Sequence, residues 1–149
     1  MNMKIEILPR YRMACIRQVG PYGSANEQTM RKLKEWAAAK NLLSPASIVL
    51  GVSYDDPETT PPESCRYDAG LVLADNEPTD GFVAESELPG GKYAIYQVKH
   101  TAKAIQQAWG AIFADLSNRG YQIDRRPMFE RYREQMLSNH NCEICVPLK

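Results

Sequence analysis

The sequence predicts a single α+β domain in which a strand–helix–strand–strand unit occurs twice. Three observations carry that prediction. Two stretches show the apolar period of a surface helix. Eight others, bounded by Gly, Pro and Asp clusters, read as strands. The order of elements then repeats: Tyr11–Gly20 is followed by a helix and two strands, and so is Lys92–His100. Either unit alone carries one helix on a small sheet, too little to fold independently. Two joined units give an antiparallel sheet, two helices and an approximate twofold axis. A cleft between the halves, about residues 1–76 and 77–149, is then the natural ligand site.

Met3–Leu8 alternates polar and apolar. Arg12–Val19 puts Met13, Cys15 and Arg17 on one side and Ala14, Ile16 and Gln18 on the other. The first helix runs from Ser24 to about Lys40. Ser24 and Glu27 have capping-box spacing. Met30, Leu33, Trp36 and Ala37 share its apolar face, and Asn41 suits a left-handed stop. Ile48–Tyr54 and Arg66–Leu73 are strands separated by the loop Asp55–Ser64. After the loop Ala74–Asp80 come the strands Gly81–Leu88 and Lys92–Lys99, joined at Pro89-Gly90-Gly91 by what reads as a hairpin turn. Thr101 is placed to cap a second helix, Ala102 to Arg119. Its stripe is Ile105, Ala108, Trp109, Ile112, Phe113 and Leu116, and Gly120 ends it. Met128–Arg133 and Glu143–Leu148 complete the set. Val52-Ser53-Tyr54 echoes Glu130-Arg131-Tyr132, which makes Tyr54 the counterpart of Tyr132.

The 149 residues are 44% hydrophobic, 24% charged and 9% aromatic, an ordinary globular composition. Eighteen Lys and Arg cancel eighteen Asp and Glu. Zero net charge offers no electrostatic footprint for nucleic acid and no basic face for an anionic membrane. No stretch is long enough to span a bilayer, and Met1–Arg10 lacks a signal peptide's apolar core. The expectation is a cytoplasmic protein with Cys15, Cys65, Cys142 and Cys145 reduced.

The chemistry concentrates at Pro127-Met128-Phe129-Glu130-Arg131-Tyr132. On a strand, Glu130 shares a face with Met128 and Tyr132. A carboxylate buried there without a partner is costly, and a cationic ligand would supply one. Aromatic faces would add cation–π attraction. The competing reading is a solvent-facing Glu130 paired with Arg131 or Arg133. Trp36 and Trp109 fit core filling as well as ligand contact. Cys142-Glu143-Ile144-Cys145 has ligand-like spacing, but a structural zinc site needs a second pair, and on a strand the two thiols point to opposite faces. No metal, cofactor or Ser/His/Asp constellation is expected.

Five segments together resemble a known family. They are Gly20-Pro21-Tyr22, Gly51-Val52-Ser53-Tyr54-Asp55-Asp56-Pro57, Cys65-Arg66-Tyr67-Asp68-Ala69-Gly70, Pro89-Gly90-Gly91-Lys92-Tyr93-Ala94 and Phe129-Glu130-Arg131-Tyr132. In this order they resemble the GyrI-like small-molecule-binding domains. That family includes DNA gyrase inhibitor proteins and the effector-binding domains of AraC- and MerR-type multidrug regulators. The resemblance implies the duplicated fold and a cleft for cationic, aromatic compounds. It places the family's acidic residue on Glu130, with Tyr22, Tyr54, Trp109 and Tyr132 as candidate walls. With no room for a helix-turn-helix domain in 149 residues, the expectation is a stand-alone binding module. Some members hydrolyse cyclopropane-containing DNA-alkylating compounds, so a hydrolase is the alternative, with Glu130 activating water. A third reading is a protein-interaction module acting on gyrase.

Overall fold

The computed structural model describes residues 1–134, 136 and 139–149. Strands β1 (Met3–Leu8) and β2 (Tyr11–Val19) lead to helix α1 (Ser24–Ala39) and then to β3 (Ile48–Ser53) and β4 (Arg66–Val72). Strands β5 (Ala84–Leu88) and β6 (Gly91–Lys99) lead to α2 (Ala102–Asn118), β7 (Met128–Arg133) and β8 (Asn141–Pro147). They form one eight-stranded antiparallel sheet, ordered β1-β6-β8-β7-β3-β4-β2-β5. Read from either end, this order describes the same path, and β3 and β7 meet at the centre.

The leading strands are exchanged between the repeats. β1 precedes β2 but pairs with β6, and β5 precedes β6 but pairs with β2. Pro89-Gly90-Gly91 is therefore not a hairpin turn, because the strands it joins do not pair with each other. It is a crossing connection, and the curled sheet brings it against its counterpart at Pro9-Arg10. A Cβ on Gly90 would lie 2.6 Å from the Leu8 carbonyl oxygen and 2.8 Å from the Arg10 nitrogen, so glycine is required by close approach.

Leu8-Pro9 answering to Leu88-Pro89 fixes the repeat register. The pair Cys15↔Gly70 then corresponds to Ile95↔Cys145, and Gly51↔Ala69 to Glu130↔Ile144. Gly51 and Glu130 are thus counterparts, and they pair directly across β3 and β7. The approximate twofold axis passes through them. This register makes Ser53 the counterpart of Tyr132. The expected Tyr54–Tyr132 equivalence is one residue out, and in a strand one residue changes the face.

Both helices lie on one face of the sheet. Leu33, Trp36 and Ala37 of α1 pack on Ala14, Tyr67, Ala69 and Leu71. Ala108, Ile112 and Leu116 of α2 pack on Ala94, Tyr96, Ile144 and Val146. The other face curls over its own core of Leu8, Tyr11, Met13, Leu50, Val52, Leu88, Tyr93, Ile95 and Phe129. Each such large apolar side chain, fully buried, is worth about 1.5–3 kcal/mol of transfer free energy.

The helix ends differ in how they are closed. Thr101 caps α2, its hydroxyl accepting from the Ala104 N–H at 3.1 Å. Asn41 and Gly120 take the left-handed conformation after α1 and α2 (φ 56° and 83°). The Ser24–Glu27 capping box does not form. Gly23 occupies the cap position without a side-chain bond, and Ser24 is already helical. Phe113, expected in the buried stripe of α2, is 44% exposed and stacks on Trp109. No helix among the described residues is long and apolar enough to cross a membrane.

Candidate functional site

Alternation along β7 points Met128, Glu130 and Tyr132 toward the helices and Phe129 and Arg131 into the curl. Helix α1 packs on β2 and β4, and α2 on β6, so the β3–β7 seam lies between them as the floor of the cleft. Glu130 sits at the centre of that floor. Its neighbour across the seam is Gly51, which contributes no side chain. The Tyr67 hydroxyl fills that space: a Cβ at Gly51 would stand 2.7 Å from it.

Both oxygens of the half-buried Glu130 are held by neutral aromatic donors. The Trp109 indole N–H donates to Oε1 at 3.2 Å, and the Tyr132 hydroxyl makes a short bond to Oε2. Among the described residues, Glu130 has no salt bridge. The surrounding acidic hydrogens are kept on their atoms. Burial first, and then the Glu130 charge, push the Tyr132 and Tyr67 hydroxyls well above the ordinary tyrosine range. The same two causes push the Cys142 thiol up to about 12.

His100, at the start of α2, sets its ring edge-on to Tyr132 with centroids 5.2 Å apart. Partial burial, reinforced by the Lys34 ammonium, holds its imidazole below the ordinary histidine value, while Glu130 pulls the other way.

Glu130, Trp109 and Tyr132 thus come together, whereas Tyr54 and Tyr22 do not join them. The Tyr54 hydroxyl donates to Asp68 at 2.9 Å on the curled side, and its ring lies beneath the Arg17 and Arg66 guanidinium groups. Tyr22 donates to the Arg66 carbonyl at 2.7 Å and accepts from the Asp55 N–H, pinning the loop after β3. Trp36 donates to Asp80 rather than to Glu130. Three members of the site were not singled out in the sequence: Gly51, Tyr67 and His100. An isolated glycine inside a strand pattern was the available signal for the first. Tyr67 and His100 carried none.

Two surface hollows run along α1, one lined by Trp36, Asp80 and Phe82, the other by Met30, Lys34 and Leu43. Glu130 lines neither of them. Cys142 and Cys145 pack on opposite faces of β8, and the cysteines are free and buried. No cluster of three or more metal-ligating side chains occurs among the described residues.

The curled eight-stranded sheet thus carries two helices on one face and an acidic residue, Glu130, at its pseudo-symmetric centre. The chain belongs to the GyrI-like small molecule binding domain family, whose model matches residues 1–149. It is 39% identical to the SPbeta prophage-derived protein YosT of Bacillus subtilis (strain 168), over 100% of both chains. It is 29% identical to DNA gyrase inhibitor 2 of Dickeya dadantii (strain 3937), covering 89% of this chain and 85% of that one. The fold is similar to that of SAV2435 solved with tetraphenylphosphonium bound, at a TM-score of 0.67 and 16% identity, over 100% of this chain and 94% of that one.

Proposed function

We propose that the protein binds a hydrophobic organic cation, planar aromatic cations included, in the cleft between its halves. Glu130 is the counter-charge, and Trp109, Tyr132 and Tyr67 are the aromatic wall. The observation that carries this reading is a half-buried carboxylate held by two neutral donors and, among the described residues, by no cation. Such a group is solvated well enough to stay in the fold yet gains strongly from an incoming positive charge. The indole and phenol faces add cation–π attraction once the rings turn aside. Tetraphenylphosphonium, bound by a protein of similar fold, has the expected ligand chemistry.

The protein works in this reading as one cytoplasmic domain whose halves, about residues 1–76 and 77–149, share the ligand. A thermal-shift screen of wild type and Glu130→Gln against cationic dyes, planar drugs and neutral controls tests it, because a ligand of the native state raises the melting temperature. Shifts with cations that vanish in the variant are expected. Equal shifts in both proteins would remove Glu130 from the site. Mass analysis of each hit completes the test: a product heavier by one water makes the site hydrolytic. A relative named DNA gyrase inhibitor favours a second reading, contact with gyrase, which predicts partner capture that survives Glu130→Gln.

A further inference from the structure

We propose that the outer edge of β1 is a self-association surface: it pairs antiparallel with the β1 edge of a second copy of this chain and joins the two sheets. An open strand edge whose backbone groups, apolar side chains and charges are complementary to themselves carries this inference, which is independent of the reading of Glu130.

β1 and β5 stand at the two ends of the sheet order, and among the described residues β1 pairs with β6 alone. The direction of its free backbone groups follows from β6. Lys92 and His100 direct theirs to the β8 side: the Lys92 carbonyl accepts from the Leu148 N–H, and the His100 N–H donates to the His140 carbonyl. Backbone direction alternates along an antiparallel strand, so Tyr93 and Ile95 face β1. Their partners Glu6 and Lys4 face back, which leaves the N–H and C=O groups of Met3, Ile5 and Ile7 directed outward. The same three side chains lie on the helix side of the sheet, where Met3 packs on the α2 core cluster. Ile5 is 38% and Ile7 75% exposed. A row of unpaired backbone groups beside exposed isoleucines is a template for another strand.

Charge selects the occupant and the register. Lys4 and Glu6 flank Ile5 on the curled side, with Nζ and Oε1 2.9 Å apart, and Glu6 also accepts from Arg131 at 3.5 Å. Pairing two β1 strands about Ile5 sets Lys4 of each opposite Glu6 of the other, and Met3 opposite Ile7. Opposite charges in facing positions stabilise a strand pair, and like charges destabilise it. A slip of two residues sets Lys4 against Lys4 in one direction and Glu6 against Glu6 in the other. Pro9 has no N–H to give and ends the edge. The β5 edge differs. The Leu73 N–H donates to the Arg12 carbonyl, so by the same alternation Glu85 and Glu87 carry its outer groups. Self-pairing there sets carboxylate against carboxylate, a charged guard that β1 lacks.

Sedimentation velocity of the full chain from about 1 µM to about 1 mM, the span of weak to moderate association, tests this. Wild type should pass from monomer to dimer within that range. Ile5→Pro removes an outward N–H, leaves the bonds to β6 in place and should stay monomeric. Lys4→Glu and Glu6→Lys alone should each weaken dimerisation by about tenfold or more, because every facing pair then carries like charges. An equimolar mixture of these two variants should dimerise again, because every facing pair is then of opposite charge. Melting curves establish that each variant is folded, and Lys4 is exposed, so Lys4→Glu keeps the test decisive if Ile5→Pro fails to fold. Any of three results overturns the β1 interface: a wild type that stays monomeric throughout, a dimer undiminished in folded Ile5→Pro or Lys4→Glu, or a mixture of the two folded charge variants that stays monomeric.

Discussion

The Trp109 indole N–H donates to Glu130 Oε1 at 3.2 Å, which sets the ring directly beside the carboxylate. The bond joins the centre of the sheet to α2, and Trp109 in turn stacks on the exposed Phe113. In the proposed function a cation at Glu130 takes the place of this indole hydrogen bond. Ligand binding should therefore change the emission of Trp109 more than that of Trp36, whose N–H is bonded to Asp80. Titrations of Trp36→Phe and Trp109→Phe variants check this: the emission change should persist in the first and disappear in the second.

Gly51 sets the room available beside the carboxylate. Gly51→Ala places a Cβ 2.7 Å from the Tyr67 hydroxyl and forces that ring to shift. Overpacking of this kind costs about 1–3 kcal/mol. Denaturant unfolding should show that loss, and cation affinity should fall with it. A variant of unchanged stability and affinity would mean that the seam above Gly51 is not filled as described.

The curled face carries a separate ionic network that should govern stability without touching the ligand. Arg131 is 2% exposed, and it donates to Glu143 at 2.8 Å and to Tyr11 at 3.1 Å. Arg131→Ala leaves a buried Glu143 without its partner, a change worth about 3–5 kcal/mol of destabilisation. Arg131→Met with Glu143→Leu removes both charges and should recover much of that loss. Chemical denaturation of the single and double variants is the measurement.

The thiols give a pH signature. Burial pushes Cys15 up to about 11 and Cys142 and Cys145 up to about 12, from an ordinary 9.0. A raised folded-state value favours the native protein below the ordinary thiol value, and the benefit is lost as pH rises toward the folded values. The melting temperature should therefore fall between pH 9 and pH 12, and serine at these positions should flatten the decline. A thiol reagent at neutral pH should label the native protein far more slowly than the unfolded chain.

The fold was legible in the sequence because its signals are local. Period-2 alternation set Met3–Leu8 and Met128–Arg133 at their observed bounds, and Thr101, Asn41 and Gly120 marked helix ends by cap chemistry. The exchange of β1 and β5 was not legible. Pro89-Gly90-Gly91 looks like a hairpin locally, and only the curl of the sheet sends β5 to β2. The site divides in the same way. Glu130 and Tyr132 share a strand face, so alternation alone brings them together. Trp109 needed the placement of α2. Tyr54 was expected as a wall by resemblance and as the counterpart of Tyr132 by an echo; the echo is one residue out of register, and Tyr54 packs on the curled side. His100 and Tyr67 reach the site only through tertiary packing.

In the proposed function Glu130 is the counter-charge for an organic cation. Isothermal titration of tetraphenylphosphonium into wild type and Glu130→Gln at fixed ionic strength tests it most directly, with triphenylphosphine oxide as the neutral control. Saturable binding to wild type is expected, with a loss of about 2–5 kcal/mol in the variant, a factor of about 30 or more, and little affinity for the neutral compound. Equal affinity of both proteins for the cation, with the variant folded, would contradict it.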